Sequence, residues 1–377
     1  MHEVYINRVA KCLPNEPVSN QDMEGILGMI GGHPSRSRPL VLRQNGIKTR
    51  YYVINKQGEV THSNVQLAAE AVKNLTDESF TLRDIELLCC GTTTPDQFAP
   101  SHASMVHGAL QNRPLEVHST TGICCSGVQA YKYGYLSVRS GDTRNAVCTG
   151  SETCSVAMTP HNYRKEMELL AELEERPVLA FGKDFLRWML SDGSGAMLLE
   201  NEPRGETPLR VEWIELVSFA NELQVCMYAG LQKNADGTVQ GFRNFDSETI
   251  QKSSMMSLQQ DVALLNENVV KYAVNALVMA AKKKGLDIEA IDYFVPHISS
   301  EYFRKPLFRE MHERGVGIPL EKWFTNFEHV GNVGSASIYL ALEELANSRR
   351  LKRGDKVLLF IPESGRFMYA YSLLTVC

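Results

Sequence analysis

Three residues in this 377-residue sequence combine into one chemistry: Cys125, His297 and Asn332. Cys125 lies in Cys124-Cys125-Ser126-Gly127, where small residues open a helix predicted over Ser126 to Ser140. Unsatisfied amide groups at a helix start favour a thiolate, the form of cysteine that attacks an acyl carbonyl. His297 closes the apolar run Val295-Pro296-His297, and Asn332 follows Gly331 just before Gly334-Ser335-Ala336. Both can donate hydrogen bonds to a thioester oxygen as it becomes an enolate or oxyanion, and backbone amides can serve the acyl carbonyl on the cysteine. The set suits acyl transfer with carbon–carbon bond formation. Each residue alone has a plainer reading: a buried helix-start residue, a core histidine bonded to backbone, a turn residue. Their matched placement along the chain is what favours the chemical reading.

That placement follows from the elements. Val4 to Val9, Ile85 to Gly91, Leu115 to His118 and Ala146 to Gly150 read as strands, and Gln21 to Ile30, Gln66 to Leu75, Ser101 to Leu110 and Ser126 to Ser140 as helices. Such alternation predicts parallel β-α-β units and an α/β fold. The order then recurs: strand Ile291 to Val295, helix Tyr302 to Arg314, short strand Trp323 to Asn326, helix Ser335 to Ser348, strand Val357 to Ile361. After Cys125 and after Asn332 alike come a small-residue helix start, a Gly-Asp turn (Gly141-Asp142, then Gly354-Asp355) and an apolar strand. This predicts an internal duplication, carried by element order rather than by identity between the halves. In such sheets the residues just past the strands' carboxyl ends line a common crevice, which is where all three candidates fall.

Composition excludes other classes. With 39 Lys+Arg against 44 Asp+Glu the net charge is −5, too mild for a nucleic-acid binder. No run of about 18 apolar residues indicates a membrane span, and no basic-then-apolar leader opens the chain, so a cytoplasmic protein is expected. Nine cysteines are predicted to be free thiols. The adjacent pairs Cys89-Cys90 and Cys124-Cys125 lack the spacing of zinc ligands, and no metal is expected. Gly193-Ser194-Gly195 follows Asp192 in a strand-like context without a phosphate-loop lysine.

Several segments together resemble the ketoacyl synthase III branch of the thiolase superfamily over nearly the whole chain. They are Gly46-Ile47-Lys48-Thr49-Arg50, Cys90-Gly91-Thr92-Thr93-Thr94, Cys124-Cys125-Ser126-Gly127, Thr149-Gly150-Ser151-Glu152, Ser191-Asp192-Gly193-Ser194-Gly195-Ala196, Val295-Pro296-His297 and Gly331-Asn332-Val333-Gly334-Ser335-Ala336-Ser337. The resemblance implies a duplicated thiolase-like fold of two mixed sheets with helices in layers, residues 1–205 forming one half and 206–377 the other. It places the nucleophile at Cys125, directly before a small residue and a glycine, with Cys124 a packed neighbour, and the catalytic histidine and asparagine at His297 and Asn332. It further implies acyl carrier protein or coenzyme A thioesters as substrates, no cofactor beyond them, and a homodimer in which the stretch near Phe98-Ala99-Pro100 approaches the partner's pocket.

The chain also departs from that pattern. The histidine opens His297-Ile298-Ser299-Ser300, and a glycine-rich oxyanion segment is replaced by Glu363-Ser364-Gly365-Arg366-Phe367. Ser364 and Gly365 are candidate oxyanion amides, and Phe98 and Phe367 candidate pocket residues. An inserted segment near 160–188 reads as a helix followed by an apolar turn. Leu42 to Tyr52, Val4 to Asn7 and Leu13 to Pro17 look most like the ring-forming ketosynthases of dialkylresorcinol, flexirubin-type and bacterial stilbene biosynthesis. That subgroup implies condensation of a β-ketoacyl thioester with an acyl or α,β-unsaturated acyl thioester, closing a 1,3-cyclohexanedione. Glu152, at the end of a buried strand, is a candidate acid or base for enolisation, or else a carboxylate tied to a nearby backbone amide or arginine. The alternatives are ordinary fatty-acid or polyketide initiation, acyl transfer to oxygen or nitrogen, and a non-condensing partner subunit.

Overall fold

The computed structural model describes residues 1–172, 183 and 186–377. Nine strands form one array: β1 (Tyr5–Cys12), β2 (Leu87–Thr92), β3 (Glu116–Thr121), β4 (Asn145–Glu152), β5 (Gly193–Glu200), β6 (Leu209–Ser218), β7 (Tyr293–Pro296), β8 (Lys356–Glu363) and β9 (Met368–Val376). Their spatial order is β7-β8-β9-β6-β1-β5-β4-β2-β3. Outward from the β1/β6 seam both sides run through two antiparallel pairings and then a parallel one. Beyond β2 lies β3, in parallel; beyond β7 the corresponding place holds one parallel bridge, Phe294 to Trp323.

The mixed sheets of the two halves join edge to edge, where Tyr5 and Ile6 pair with Arg210 and Leu209. The strand expected at Trp323 to Asn326 shrinks to that bridge: Phe324 donates to the Phe294 carbonyl, and by Phe327 the chain is already helical. The connection between β5 and β6 contains the 205/206 boundary.

β2, β4 and β5 are buried at every residue, as apolar strands covered on both faces must be. Helices α1 (Asn64–Lys73) and α2 (His102–Leu110) cover one face of the first half. Between the halves lie α3 (Ser126–Ser140) and α7 (Ser337–Asn347), whose apolar residues pack on strands from both sides. On the far side α5 (Val262–Lys284) and α6 (Arg304–Glu313) cover β7, β8 and β9. α4 (Arg164–Glu172) is the helix expected in the inserted segment, whose apolar turn lies outside the described residues.

The central layer is close-packed through glycine. A Cβ on Gly127 would lie 2.3 Å from the Ser335 carbonyl oxygen, and one on Gly150 would lie 2.4 Å from the same atom. Only glycine lets α3, β4 and the turn into α7 approach this far. The helix read at Gln21 to Ile30 is shorter, Met23–Leu27, because Gly28 at φ +80° ends it.

Candidate active site

The chain reverses or begins a helix at each position that matters here. Thr121 ends β3 and Ser126 begins α3; the turn between is closed by the Ser126 N–H and hydroxyl, both donating to the Ile123 carbonyl (3.2 and 2.7 Å). His297 follows β7, and its N–H donates to the Phe360 carbonyl on β8 at 2.7 Å. Asn332 precedes the turn into α7; its N–H donates to the Met189 carbonyl and its carbonyl accepts from the Ser191 N–H, so the stretch leading into β5 fixes its backbone.

These three loops meet at a small cavity of about 60 Å³. Cys124, His297 and Asn332 line it together with Gln260 and Ser364; the rest of the wall is mainly apolar, with Leu265, Val269 and Ala273 from α5 and Leu307 from α6. Its lining, apolar side chains with a few polar groups among them, is of the kind that takes an acyl chain.

Cys125 is not on that wall. It occupies the N-cap position of α3 with already helical backbone, is fully buried, and directs its sulfur to the Ile361 and Met368 carbonyls at 3.5 and 3.8 Å. The sequence-based expectation for Cys125 is therefore corrected in geometry: of the two neighbours, Cys124 faces the cavity and Cys125 faces strands β8 and β9. Consecutive side chains on one turn point apart, and nothing in the residue types distinguishes them.

Electrostatics follow burial. His297 is buried, and desolvation lowers its imidazole to about 4, so the ring is neutral near pH 7. Neither ring nitrogen has a hydrogen-bond partner among the described residues. The Asn332 side-chain oxygen accepts from the Gly334 N–H at 3.0 Å, which leaves its amide nitrogen to donate. The Cys124 thiol is pushed well above its ordinary value, first by burial and then by the Glu363 and Glu152 carboxylates; its own N–H works in the opposite direction.

Glu152 is present as the tied carboxylate rather than the free acid or base. It is fully buried and accepts from the Thr93 N–H, the Thr93 and Thr94 hydroxyls (2.7 and 2.8 Å) and the Ser335 N–H (3.1 Å). It stitches the loop after β2 to the turn that follows Asn332. Burial raises its carboxyl, and the hydrogen bonds lower it in part.

The remaining candidates divide. Ser364 lines the cavity and its hydroxyl donates to the Gln260 side-chain Oε1 at 3.3 Å. The Ser364 and Gly365 carbonyls are occupied by N–H groups of Met227 and Cys226. Phe367 is wholly buried in the core under α5 and lines no part of the cavity, a second correction. Phe98 is 77% exposed, stacks on Phe242 at 5.7 Å, and lines a separate open groove with Cys154, Met158 and Leu190. Glu363, which sequence reading treated only as part of a replaced segment, accepts N–H bonds from Ile123 and Cys125 at 3.2 and 2.9 Å.

All nine cysteines are free, and no helix of the described residues is long and apolar enough to cross a membrane.

Residues 281–368 match the family described as 3-oxoacyl-[acyl-carrier-protein (ACP)] synthase III C terminal. The chain is similar to beta-ketoacyl-[acyl-carrier-protein] synthase III of Clostridium novyi (strain NT), 24% identical over 370 residues covering 95% of each chain. The Clostridium perfringens (strain ATCC 13124) protein of the same name is 26% identical over 324 residues, 83% of this chain and 85% of its own. Among solved structures, a tetronic acid condensing enzyme, AbyA1, superposes with TM-score 0.75 at 20% identity, covering 99% of both chains. Xanthomonas campestris OleA, solved with lauric acid and lauroyl-CoA, superposes with TM-score 0.73 at 19% identity over 99% of both. The synthase III of Aquifex aeolicus shares the fold at TM-score 0.70, 18% identity and 99% coverage of both chains.

Proposed function

Starting from a ketosynthase III-like chain of the thiolase superfamily, we propose that it loads an acyl group on Cys124 and condenses it with a β-ketoacyl thioester to form a 1,3-cyclohexanedione. The chain is an acyl-transferring enzyme that forms carbon–carbon bonds. The observation that carries the reading is that Cys124, His297 and Asn332 line one cavity whose remaining wall is mainly apolar.

In loading, the Cys124 sulfur attacks the thioester carbonyl, its proton passes to the neutral His297 ring, and the carrier thiol leaves with a proton returned from it. In condensation, His297 takes the α-proton of the β-ketoacyl thioester while the Asn332 amide donates to the enolate oxygen. The carbanion carbon attacks the acyl carbonyl, the bond to Cys124 breaks, and the thiolate is regenerated. The Cys124 N–H, which already acts on its own thiol, is the proposed donor for the oxyanion formed at the cysteine. The second nucleophilic carbon then loses a proton and adds to the β-carbon of an α,β-unsaturated partner, whose α-carbon takes up a proton; the ring so closed keeps the β-ketoacyl unit's thioester as a substituent.

Acyl carrier protein or coenzyme A thioesters deliver both chains, and a homodimer is the proposed assembly, with Phe98 in the exposed stretch that meets the partner. The apolar contributions of Leu265, Val269, Val270 and Leu307 favour a chain longer than acetyl. A second reading, ordinary initiation from a short acyl group and a malonyl carrier, is favoured by the names of the similar Clostridium proteins. Incubation with a β-ketoacyl and an unsaturated acyl thioester separates the two: a cyclic 1,3-dione detected by mass spectrometry supports ring formation. Efficient acetoacetyl product from acetyl and malonyl thioesters, with none from the longer pair, returns the chain to initiation.

A further inference from the structure

The last residue of β8, Glu363, is a carboxylate that the mechanism above does not use. It is 8% exposed and forms no ion pair among the described residues. Its bonds come from the two N–H groups that flank Cys124 in the chain: Ile123 at 3.2 Å and Cys125 at 2.9 Å, both to the same oxygen. The slot around it is walled by glycine. A Cβ on Gly365 would lie 3.2 Å from one carboxylate oxygen and 2.9 Å from the Ile123 side chain, and one on Gly122 would lie 3.7 Å from the other oxygen. Burial raises this carboxyl above its ordinary value, and the two donors converging on one oxygen work against that in favour of the ionised form. A carboxylate held this way sits under the cysteine turn rather than in the cavity, whose wall at this point is made by Pro362 and Ser364 on either side of it.

We propose that Glu363 is a positioning residue, an anionic clamp on the amides either side of Cys124 that holds the turn presenting this thiol to the cavity. The inference rests on Cys124 being the nucleophile and adds what controls it. Turn geometry is one consequence of the clamp. Charge is the other: a fixed anion close to a thiol opposes its ionisation, so the resting enzyme keeps Cys124 protonated until His297 removes the proton from it. The other charged group acting on this thiol is Glu152 at the end of β4, a smaller influence than Glu363; the adjacent Cys125 and the Cys154 thiol are themselves raised by Cys124, and the neutral ring of His297 shares the cavity wall.

The test is the rate of iodoacetamide alkylation of the full-length protein against pH, with the modified residue identified by fragmentation of the peptide that carries both cysteines. Glu363→Gln keeps the shape of the clamp and removes its charge; the pH midpoint for Cys124 is expected to fall by about one unit. Glu363→Asp keeps the charge on a shorter arm; the midpoint is expected to stay near that of the parent while acyl loading slows. A merely structural glutamate would change stability and leave the midpoint unmoved. Alkylation at Cys124 with the same midpoint in Glu363→Gln and the parent overturns the clamp. If Glu363→Gln does not fold, a midpoint in Glu363→Asp that drops by a unit overturns it equally. Modification at Cys125 instead of Cys124 would show a different failure, that of the nucleophile assignment itself.

Discussion

Cys124 and Cys125 have the same chemistry and opposite surroundings, and the distinction comes from 240 residues away. The carbonyls of Ile361 and Met368 draw the Cys125 sulfur into the central layer, while Glu363 holds the amides on both sides of Cys124. None of this is visible in Cys124-Cys125-Ser126-Gly127, where the helix start is legible and the direction of each side chain is not. His297 and Asn332 were legible because each terminates an element at the crevice. Burial alone should keep the His297 ring neutral: with its imidazole at about 4, histidine NMR is expected to show no titration of this ring between pH 7.5 and 5.5, and a protonation midpoint near 6.5 would contradict the desolvated site. Glu152 was legible as a buried carboxylate with two readings, and its bonds to Thr93, Thr94 and Ser335 favour the tied one. Glu152→Ala strands those donors and should lower unfolding free energy by about 3 kcal/mol in urea titration, with loading at Cys124 retained by the folded protein. Unchanged stability together with abolished loading would restore the catalytic reading.

At the scale of elements, the strongest sequence signals were the apolar strands buried on both faces and the helices beside them. The helix expected over Ser126 to Ser140 agrees at both ends, since Gly141 adopts a left-handed conformation (φ +82°) that stops it. β6 and β9 escaped notice because neither forms part of an alternating strand-helix unit; the long helix α5, which precedes β7 as α1 precedes β2, was also not read from the sequence. The Gly127 contact gives the central layer a sharp test. Gly127→Ala drives a methyl group toward the Ser335 carbonyl oxygen, 2.3 Å from the ideal position, and toward the Tyr339 ring at 3.0 Å. A loss of about 2 kcal/mol in unfolding free energy is expected, together with slower condensation as α3 shifts against the Asn332 turn. Helix α5 supplies the cavity's apolar wall, so Val269→Phe should reduce loading of long acyl thioesters about tenfold and leave short ones nearly untouched. Equal loss for both lengths, measured by intact-mass kinetics, would place the acyl chain elsewhere.

Over the whole molecule, the repeat read from element order reappears as a repeated pairing sequence on either side of the β1/β6 seam. The same topology brings the turn before α3 and the turn before α7 to a common layer, so the nucleophile side and the Asn332 side of the site face one another across α3 and α7. What the repeat could not reveal is that one half lacks a full fifth strand: Trp323 makes a single bridge, and its indole N–H instead donates to the Ile318 carbonyl at 2.9 Å. The exposed Phe98, stacked on Phe242, is the most conspicuous apolar side chain outside the core and belongs to the face proposed to meet a second copy. Sedimentation velocity at micromolar concentration should therefore give a dimer, and Phe98→Asp should shift it toward monomer; a parent protein that sediments as a monomer contradicts this assembly.

The central claim is that the acyl group is carried by the thiol that shares a cavity with His297 and Asn332. It is tested most directly by incubating the protein with a long-chain acyl thioester, trapping the acyl-enzyme, and fragmenting the peptide that spans Thr121 to Gln129. The account predicts an acyl mass on Cys124, its loss in Cys124→Ala and its persistence in Cys125→Ala. An acyl group on Cys125, lost with Cys125→Ala and kept in Cys124→Ala, would contradict it.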